Sequence, residues 1–377
     1  MIEIKQIYSK KDIKNFVDFP TKLYEGVKEY SYPIRMDEIN MFNPKKNKCY
    51  KDCDVALFLA YKDNKIVGRI CAIIQKAYNK KINENRVRFT RFDCINDLEV
   101  AKKLFDTVED WARQKGMNVV HGPLGFSDLD CEGMIVEGFN ERCTFEERYN
   151  FKYYNDLVEA CGYKKEVDWI ERKIYPTDAD ARIIRIADMV ARKFKLKFAK
   201  AKSKKEFLKK YKDGILDVLD QAYSPLYGVV PYNDDLKKQL ISQFKSLLDL
   251  KYMFAIINEK DEVVCFGVGI PQMNDALYKS KGRLTLPAIF RVLKALKKAT
   301  VTDFAVIGTR PDYANTGVGS MAVKYLMDMM EKEGMKYCET NVCLEDNAKI
   351  NAIWNYFKHD VHRRRRAYIK ELNNDNA

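Results

Sequence analysis

The sequence predicts an α+β protein built as two tandem domains. At 377 residues the chain is longer than one ordinary core. Its 46% hydrophobic and 12% aromatic content is that of a folded globular protein. One order of elements (helix, hairpin, strand, helix, strand, helix, strand) reads twice along the chain with little identity between the copies. So long a period points to a duplicated domain rather than a solenoid.

In the first copy, residues 11–30 carry a helical pattern interrupted at Pro20. Two strand-like runs, 55–61 and 66–75, flank a natural hairpin turn at 62–65. A strand at 87–92 follows. Residues 98–115 place Val100, Leu104, Val108 and Trp111 at helical spacing, closed by Gly116. A short strand at 118–121, a glycine-rich acidic loop at 122–140, a helix at 153–160 and a strand at 167–174 complete the copy.

The second copy opens with a strand at 196–201 and helices at 204–222 and 235–248. A hairpin of 252–257 and 263–270 turns over 258–262. After an insertion at 279–300 come a strand at 303–308, a helix at 318–333 closed by Gly334, a strand at 337–342, a helix at 348–357 and a strand at 364–369. The domains are expected at 1–176 and 196–377. The joining segment, 177–195, includes a helical run at 181–193. Disorder is expected only at 373–377.

No run of about 18 apolar residues exists, so no membrane span is expected. The first residues lack the apolar core of a secretory signal, which predicts a cytoplasmic protein. The ten cysteines are scattered without a C-x2-C pair and there are three histidines, so reduced thiols and no metal site are expected. A net charge of +13 calls for an anionic partner: nucleic acid, a membrane surface or a cofactor. The basic residues are dispersed and no RNP-like signature appears, so nucleic acid is the least expected of the three.

The informative stretch is IGTRPDYANTGVGS at 307–320. It follows a predicted strand and opens a predicted helix. Gly317 and Gly319 permit a tight turn and leave backbone amides uncovered. Such amides, with the helix dipole, form a cradle for an anionic diphosphate. The order strand, G-x-G, helix, strand, then the ETNVCLEDN segment at 339–347 resembles the core of the GNAT N-acetyltransferase superfamily. The resemblance covers residues 200–377 well and 1–175 weakly. The two-domain layout is similar to that of the peptidoglycan-bridge aminoacyltransferases in architecture alone.

The resemblance implies, for each copy, a mixed, mostly antiparallel central sheet flanked by helices. It implies acetyl-CoA or another acyl-CoA as cofactor, with direct attack by a primary amine, small or lipid-linked. The backbone of Ile307, Gly308 and Thr309 would hold the pantetheine arm. Asn315, Thr316, Gly317, Val318, Gly319 and Ser320 would hold the pyrophosphate, and Asn347 would lie near the thioester. Glu339 and Glu345 are the candidate bases and Tyr356 the candidate acid. Two positions depart from the family pattern: Ala314 stands where Arg or Gln is usual, and Trp354 where a tyrosine acid is common.

At the equivalent turn the first copy reads DCINDLE at 93–99, with three carboxylates and no glycine. Carboxylates cap a helix N-terminus but repel a diphosphate, so this copy is expected to bind no cofactor. Its glycine-rich loop offers Ser127, Asp128, Asp130 and Glu132 to a cationic amine substrate. In the insertion, Leu286, Ile289, Phe290, Leu293 and Leu296 share one helical face and Arg291, Lys294, Lys297 and Lys298 the other. Residues 284–298 therefore predict peripheral contact with the inner membrane face. The run Arg363–Arg366 has period two and is expected at a solvated strand edge. The expected function is N-acyl transfer from CoA. The alternative is a catalytically inactive tandem protein that binds acyl-CoA or a partner.

Overall fold

The computed structural model describes residues 1–144, 146–177 and 181–372. The disorder expected at 373–377 lies outside them, as do residues 178–180 of the expected linker. The chain begins with β1 (Ile2–Gln6), α1 (Lys10–Leu23), α2 (Arg35–Met41), β2 (Cys53–Lys62), β3 (Lys65–Gln75) and α3 (Lys76–Ile82). It continues with β4 (Arg86–Cys94), α4 (Leu98–Gln114), β5 (Val119–Gly122), β6 (Met134–Glu137), α5 (Tyr153–Ala160) and β7 (Lys164–Tyr175). Next come α6 (Ala181–Lys193), β8 (Lys197–Phe198), α7 (Lys204–Tyr223), α8 (Asp234–Phe244), β9 (Met253–Ile257), β10 (Val263–Pro271), α9 (Asn274–Tyr278) and α10 (Leu286–Lys297). The last elements are β11 (Val301–Thr309), α11 (Val318–Lys332), β12 (Tyr337–Thr340), β13 (Cys343–Leu344), α12 (Ala348–Trp354) and β14 (Lys358–Glu371).

These elements pack as two compact units, each discontinuous in sequence. Unit 1 holds Met1–Ile170, Met273–Val292 and the chain from Arg363 onward; unit 2 holds Glu171–Gln272 and Leu293–His362. In unit 1 the strand order is β1-β2-β3-β4-β5-β14, with β6 also on β14. Every pair is antiparallel except β4 with β5. Unit 2 repeats the plan as β8-β9-β10-β11-β12-β7, with β11 and β12 its parallel pair. The strand that ends each repeat therefore lies in the other repeat's sheet: Tyr368 of β14 pairs with Gly122, and Ile174 of β7 pairs with Cys338.

Local chemistry explains the unit 1 elements. Asp63 and Asn64 take φ of 51° and 60°, the left-handed pair that a two-residue hairpin turn requires. The Asp97 side chain caps α4 by accepting from Glu99 N (3.0 Å) and Val100 N (3.4 Å). The helical stripe Val100, Leu104, Val108 and Ala112 is fully buried. At Gly68 a Cβ would meet Leu104 Cδ1 at 2.9 Å, so only glycine lets α4 lie this close to β3. The pattern at 11–30 ends early. Helix α1 runs through Pro20 to Leu23, because the Phe16 carbonyl that Pro20 cannot serve accepts Arg69 Nη1 at 2.8 Å.

Two expectations are corrected. Residues 122–140 are not merely a loop: they contain β6, a Leu124–Glu132 bridge, and the buried Leu124, Phe126, Met134 and Ile135. Nor is the run Arg363–Arg366 a solvated edge. Arg363 and Arg365 are buried and donate to the carbonyls of Arg142 (2.6 Å) and Arg148 (2.7 Å). Arg366 Nε donates to Asp168 Oδ1 at 2.8 Å. Period-two spacing also lets a buried strand face satisfy guanidiniums against fixed acceptors.

A buried ionic knot holds α2 against β4. Arg91, at the unusual φ of 52°, pairs with Glu38 (3.1 Å) and Asp130 (2.7 Å), and Arg148 pairs with Glu38 at 2.6 Å. Burial by itself would raise the Glu38 pKa, but Arg91 and Arg148 outweigh it and hold the carboxyl well below its ordinary value. A depressed pKa contributes stability above the unfolded value of about 4.3, and that stability is lost as pH falls below it. Glu38→Gln should therefore cost roughly 3 kcal/mol near neutral pH, since it leaves Arg91 with Asp130 as its charged partner and takes a carboxylate from the part-exposed Arg148. In urea melts taken between pH 7 and pH 3, the variant should also show a shallower loss than the wild type.

Candidate functional site

In unit 2 the sequence motif folds as one strand, turn and helix. Ile307, Gly308 and Thr309 end β11, Asn315 and Thr316 lie in the turn, and Val318, Gly319 and Ser320 form the first turn of α11. Gly317 is the cap residue at φ +87°, a left-handed conformation that favours glycine. A cap without a side chain places no oxygen over the first amides of α11. Thr316 Oγ1 donates to Tyr313 O at 2.7 Å and reaches Val318 N only at 3.4 Å. The Ser320 hydroxyl donates to Gly317 O at 2.8 Å. The Ser320 amide donates to Gly317 O at 2.9 Å, so the Val318 amide, with its long contact to Thr316, and the Gly319 amide form the end that could face an anion.

The strand before it forms one arm of a fork. β11 pairs with β12 only through Val301–Phe304 against Tyr337–Thr340. On its other side β11 bulges at Ala305, where the register with β10 moves from Phe304–Gly269 to Val306–Val268. Asn341 sits at the base of the fork, donating through N to Phe304 O (3.2 Å) and through Nδ2 to Ala305 O (3.3 Å). Trp354 is buried and stacks on Phe304 at 6.1 Å. Its indole also lies beside the Cys343 thiol, whose pKa burial raises. The tyrosine position of the resemblance is therefore filled by a packing residue.

Glu339 is brought into a cluster of ionisable groups. Cys338 and Phe304 belong to the core packed around α11. Strand alternation turns their neighbours Glu339 and Asp303 to the opposite face, and both are buried. Glu339 Oε2 lies 3.6 Å from His362 Nε2, with side-chain exposures of 2% and 5%. Glu171 joins them, and the three offer ligand or proton-accepting atoms within 4.8 Å of one another. Gln272 Nε2 donates to Asp303 Oδ1 at 3.4 Å.

The other predicted residues lie elsewhere. Glu345 is exposed, and Tyr356 is 53% exposed. Asn347 caps α12, its Oδ1 accepting from Ile350 N at 3.4 Å. Tyr223 of α7 meets both backbone groups of Ile307, accepting from its N at 3.3 Å and donating to its O at 3.2 Å. The four predicted substrate residues belong to unit 1. Ser127 and Glu132 are buried, and Ser127 Oγ accepts from Leu129 N at 3.3 Å. Burial, with Asp128 and Glu147 nearby, pushes the Glu132 carboxyl well up. The Asp130 carboxylate serves Arg91, Phe126 N and Cys131 N.

Sequence reading missed three residues here. His362 was lost in a basic run. Arg172 is buried on β7, with Nε and Nη1 given no hydrogen-bond partner among the described residues. Arg310 starts the turn, held by Asp312 at 2.8 Å and stacked over Tyr313. An arginine directly before the turn was the signal for the last of these.

The corresponding turn of unit 1 is filled from within. Asp93 accepts from Tyr24 (2.8 Å) and from Arg69 (2.8 Å), and Asp97 covers the amides of α4. Beyond the β4–β5 pairing lies a depression lined by Arg69, Arg91, Arg148, Asp93, Tyr30 and Tyr149. Each of its three guanidiniums is paired with a carboxylate.

No family model matches the chain. It is 23% identical over 381 residues to Protein YghO of Escherichia coli K12, covering 98% of this chain and 95% of that one. It is 26% identical over 356 residues to the bacterial ceramide synthase of Caulobacter vibrioides, covering 91% and 90%. Among solved structures, the tandem GNAT protein from the clavulanic acid biosynthesis pathway matches with a TM-score of 0.58 at 8% identity, over 100% of both chains. The GCN5-related glucosamine N-acetyltransferase region of a fungal GH3 β-N-acetylglucosaminidase matches with a TM-score of 0.57 at 11% identity, over 98% of this chain and 38% of that one. These likenesses show the fold: mixed sheets flanked by helices in a tandem GNAT arrangement.

If a pantetheine arm pairs with Ile307, it must displace Tyr223. Tyr223→Phe should therefore tighten coenzyme A binding severalfold in a calorimetric titration. A weaker affinity would instead place the Tyr223 hydroxyl among the cofactor's own ligands.

Proposed function

We propose that the chain is an acyl-CoA-dependent N-acyltransferase that passes an acyl group to a primary amine by direct attack. The observation that carries this reading is the pairing, within unit 2, of an uncapped helix start beside a forked parallel strand pair with a buried Glu339–His362–Glu171 cluster. Acyl-CoA would supply the activated thioester. The amides of Val318 and Gly319 and the dipole of α11 would hold its diphosphate, with the Ser320 amide held by Gly317 O at 2.9 Å and Arg310 positioned at the turn to add a cationic donor. The open edge of β11 beyond Phe304 would align the arm.

An amine attacks only when neutral, so a base must take its proton. Glu339 is the proposed base. His362 and Glu171 are its positioning partners, a buried set across which one proton can be held and passed on. Tyr356 is the remaining candidate for returning a proton to the leaving thiolate, reaching it from the surface. The acceptor class is a lipid-linked amine. One relative is named a ceramide synthase, and a ceramide is an N-acylated long-chain amine. The buried Trp354 and the Ala314 substitution favour the second reading, a protein that binds acyl-CoA without turnover.

Titration of acetyl-CoA and palmitoyl-CoA should give micromolar binding by the wild type, weakened about a hundredfold or more in Gly317→Glu. Glu339→Gln should keep that binding and lower turnover by about a hundredfold or more. Intact binding with no turnover in the wild type, across amine acceptors, would establish the second reading. Absence of thioester binding would overturn both.

The spacing of Glu171, Glu339 and His362 would also suit a divalent cation. Metal analysis of the purified chain should find no stoichiometric metal. One equivalent that disappears in His362→Ala would replace the proton relay with a metal centre.

A further inference from the structure

Helix α10 is built the wrong way round for a helix that serves only its own domain. At 100° per residue, Leu286, Ile289, Phe290 and Leu293 fall within one arc, and an amphipathic helix normally buries that arc. Here these side chains point outward, exposed by 74%, 39%, 71% and 51%. Leu284, just before the helix, is 46% exposed. The buried side is formed by the small Ala288, with Val292 and Leu296 half-buried. Arg291 is half-buried too, its Nε shielded and without a hydrogen-bond partner among the described residues. The helix thus turns a guanidinium inward while showing four large apolar side chains to the outside.

This orientation is fixed by its approach. Asn274 Nδ2 donates to Cys143 O at 2.8 Å, Arg142 pairs with Asp275, and Lys281 pairs with Glu25 at 2.6 Å. The carbonyl of Gly282, at φ +73°, accepts from Arg35 N at 2.9 Å; a Cβ there would lie 2.0 Å from Pro33 O. The segment leading into α10 is therefore locked to unit 1, and the outward apolar arc is a built feature.

We infer that the outward face of α10 docks the protein onto an anionic lipid bilayer, with Leu286, Ile289, Phe290 and Leu293 entering the headgroup–acyl boundary. Charge decides the occupant. Lys294 and Lys298 are exposed beside the apolar arc, Lys297 continues it at the end of the helix, and the exposed Arg283 precedes the helix. Anionic headgroups complement these charges, whereas a second copy would bring the same cations against them. The helix has 12 residues, about 18 Å long, too short to cross a core of about 30 Å and suited to lying in the interface. The inference does not depend on acyl transfer, because it concerns only where the protein resides.

The test is flotation of the full chain with vesicles of equimolar phosphatidylglycerol and phosphatidylcholine, or of phosphatidylcholine alone. The wild type should float with the anionic vesicles at low salt and lose most of that binding at high salt. Phe290→Ser with Leu293→Ser should weaken binding by about tenfold or more, and Lys294→Glu with Lys297→Glu by about tenfold. Both variants should keep the wild-type thermal melt and coenzyme A titration. The lysine pair is fully outside the packing, so it reads the surface even if the apolar pair misfolds. Failure of the wild type to float at low salt overturns the inference, as does undiminished binding by the lysine variant. Concentration-dependent dimers that disappear in the apolar variant, with no flotation, would assign the face to a second copy instead.

Discussion

Four residue pairs hold β11 to β12, and then the strands part. Parallel strands bond only while they run side by side, so a divergence leaves backbone donors and acceptors that must find other partners. The chain meets that demand in three ways. The bulge at Ala305 bends β11 away, Asn341 takes the carbonyls of Phe304 and Ala305, and Tyr223 takes the Ile307 groups. Trp354 stacks on Phe304, the last residue of the pairing. The fork in turn sets where the turn at 310–317 emerges and where α11 begins. Everything attributed to a diphosphate or a thioester arm depends on that parting.

The two copies use the same architecture to opposite ends. Both have a parallel pair joined by a helix that crosses the sheet. Asp97 covers the helix start in unit 1 and Gly317 leaves it bare in unit 2. In unit 1 the neighbouring arginines are spent on Asp93, Glu38 and Asp130. In unit 2 the Glu339 carboxylate lies beside the His362 imidazole, with Glu171 next to them. One copy fills its turn with ion pairs, and the other leaves a glycine at the helix start and gathers Glu339, His362 and Glu171 on its sheet.

Much of this was legible where the signal is local. The α4 stripe, the Asp63–Asn64 turn and the glycines of the α11 turn depend on neighbours in sequence, and each was readable at its own position. What was not legible depends on distant partners. Pro20 looked like a break because Arg69, the donor that relieves it, lies 49 positions further along. The arginines at 363–366 looked solvated because their acceptors at Arg142, Arg148 and Asp168 come from other segments. His362 opened that same basic run, and only folding sets it beside Glu339. For α10 the helix was legible but its faces were not: Leu296 is half-buried, Lys297 is exposed in the row of Leu286, Phe290 and Leu293, and the anchors at Asn274 and Gly282 come from the segment before it.

The exchange of closing strands has a consequence for synthesis. The first repeat emerges with its sheet unfinished, because the part of β14 that covers β5 begins at Tyr368, 198 residues after Ile170 (368 less 170). At about 5–20 residues per second, the ribosome needs roughly 10–40 s to supply it. For that interval the edge at Val119–Gly122 is a half-finished template, open to any strand that reaches it first. The nascent chain must be shielded or kept dilute until its last strand arrives, so its yield should depend on chaperone supply and translation speed more than on the final stability of either unit.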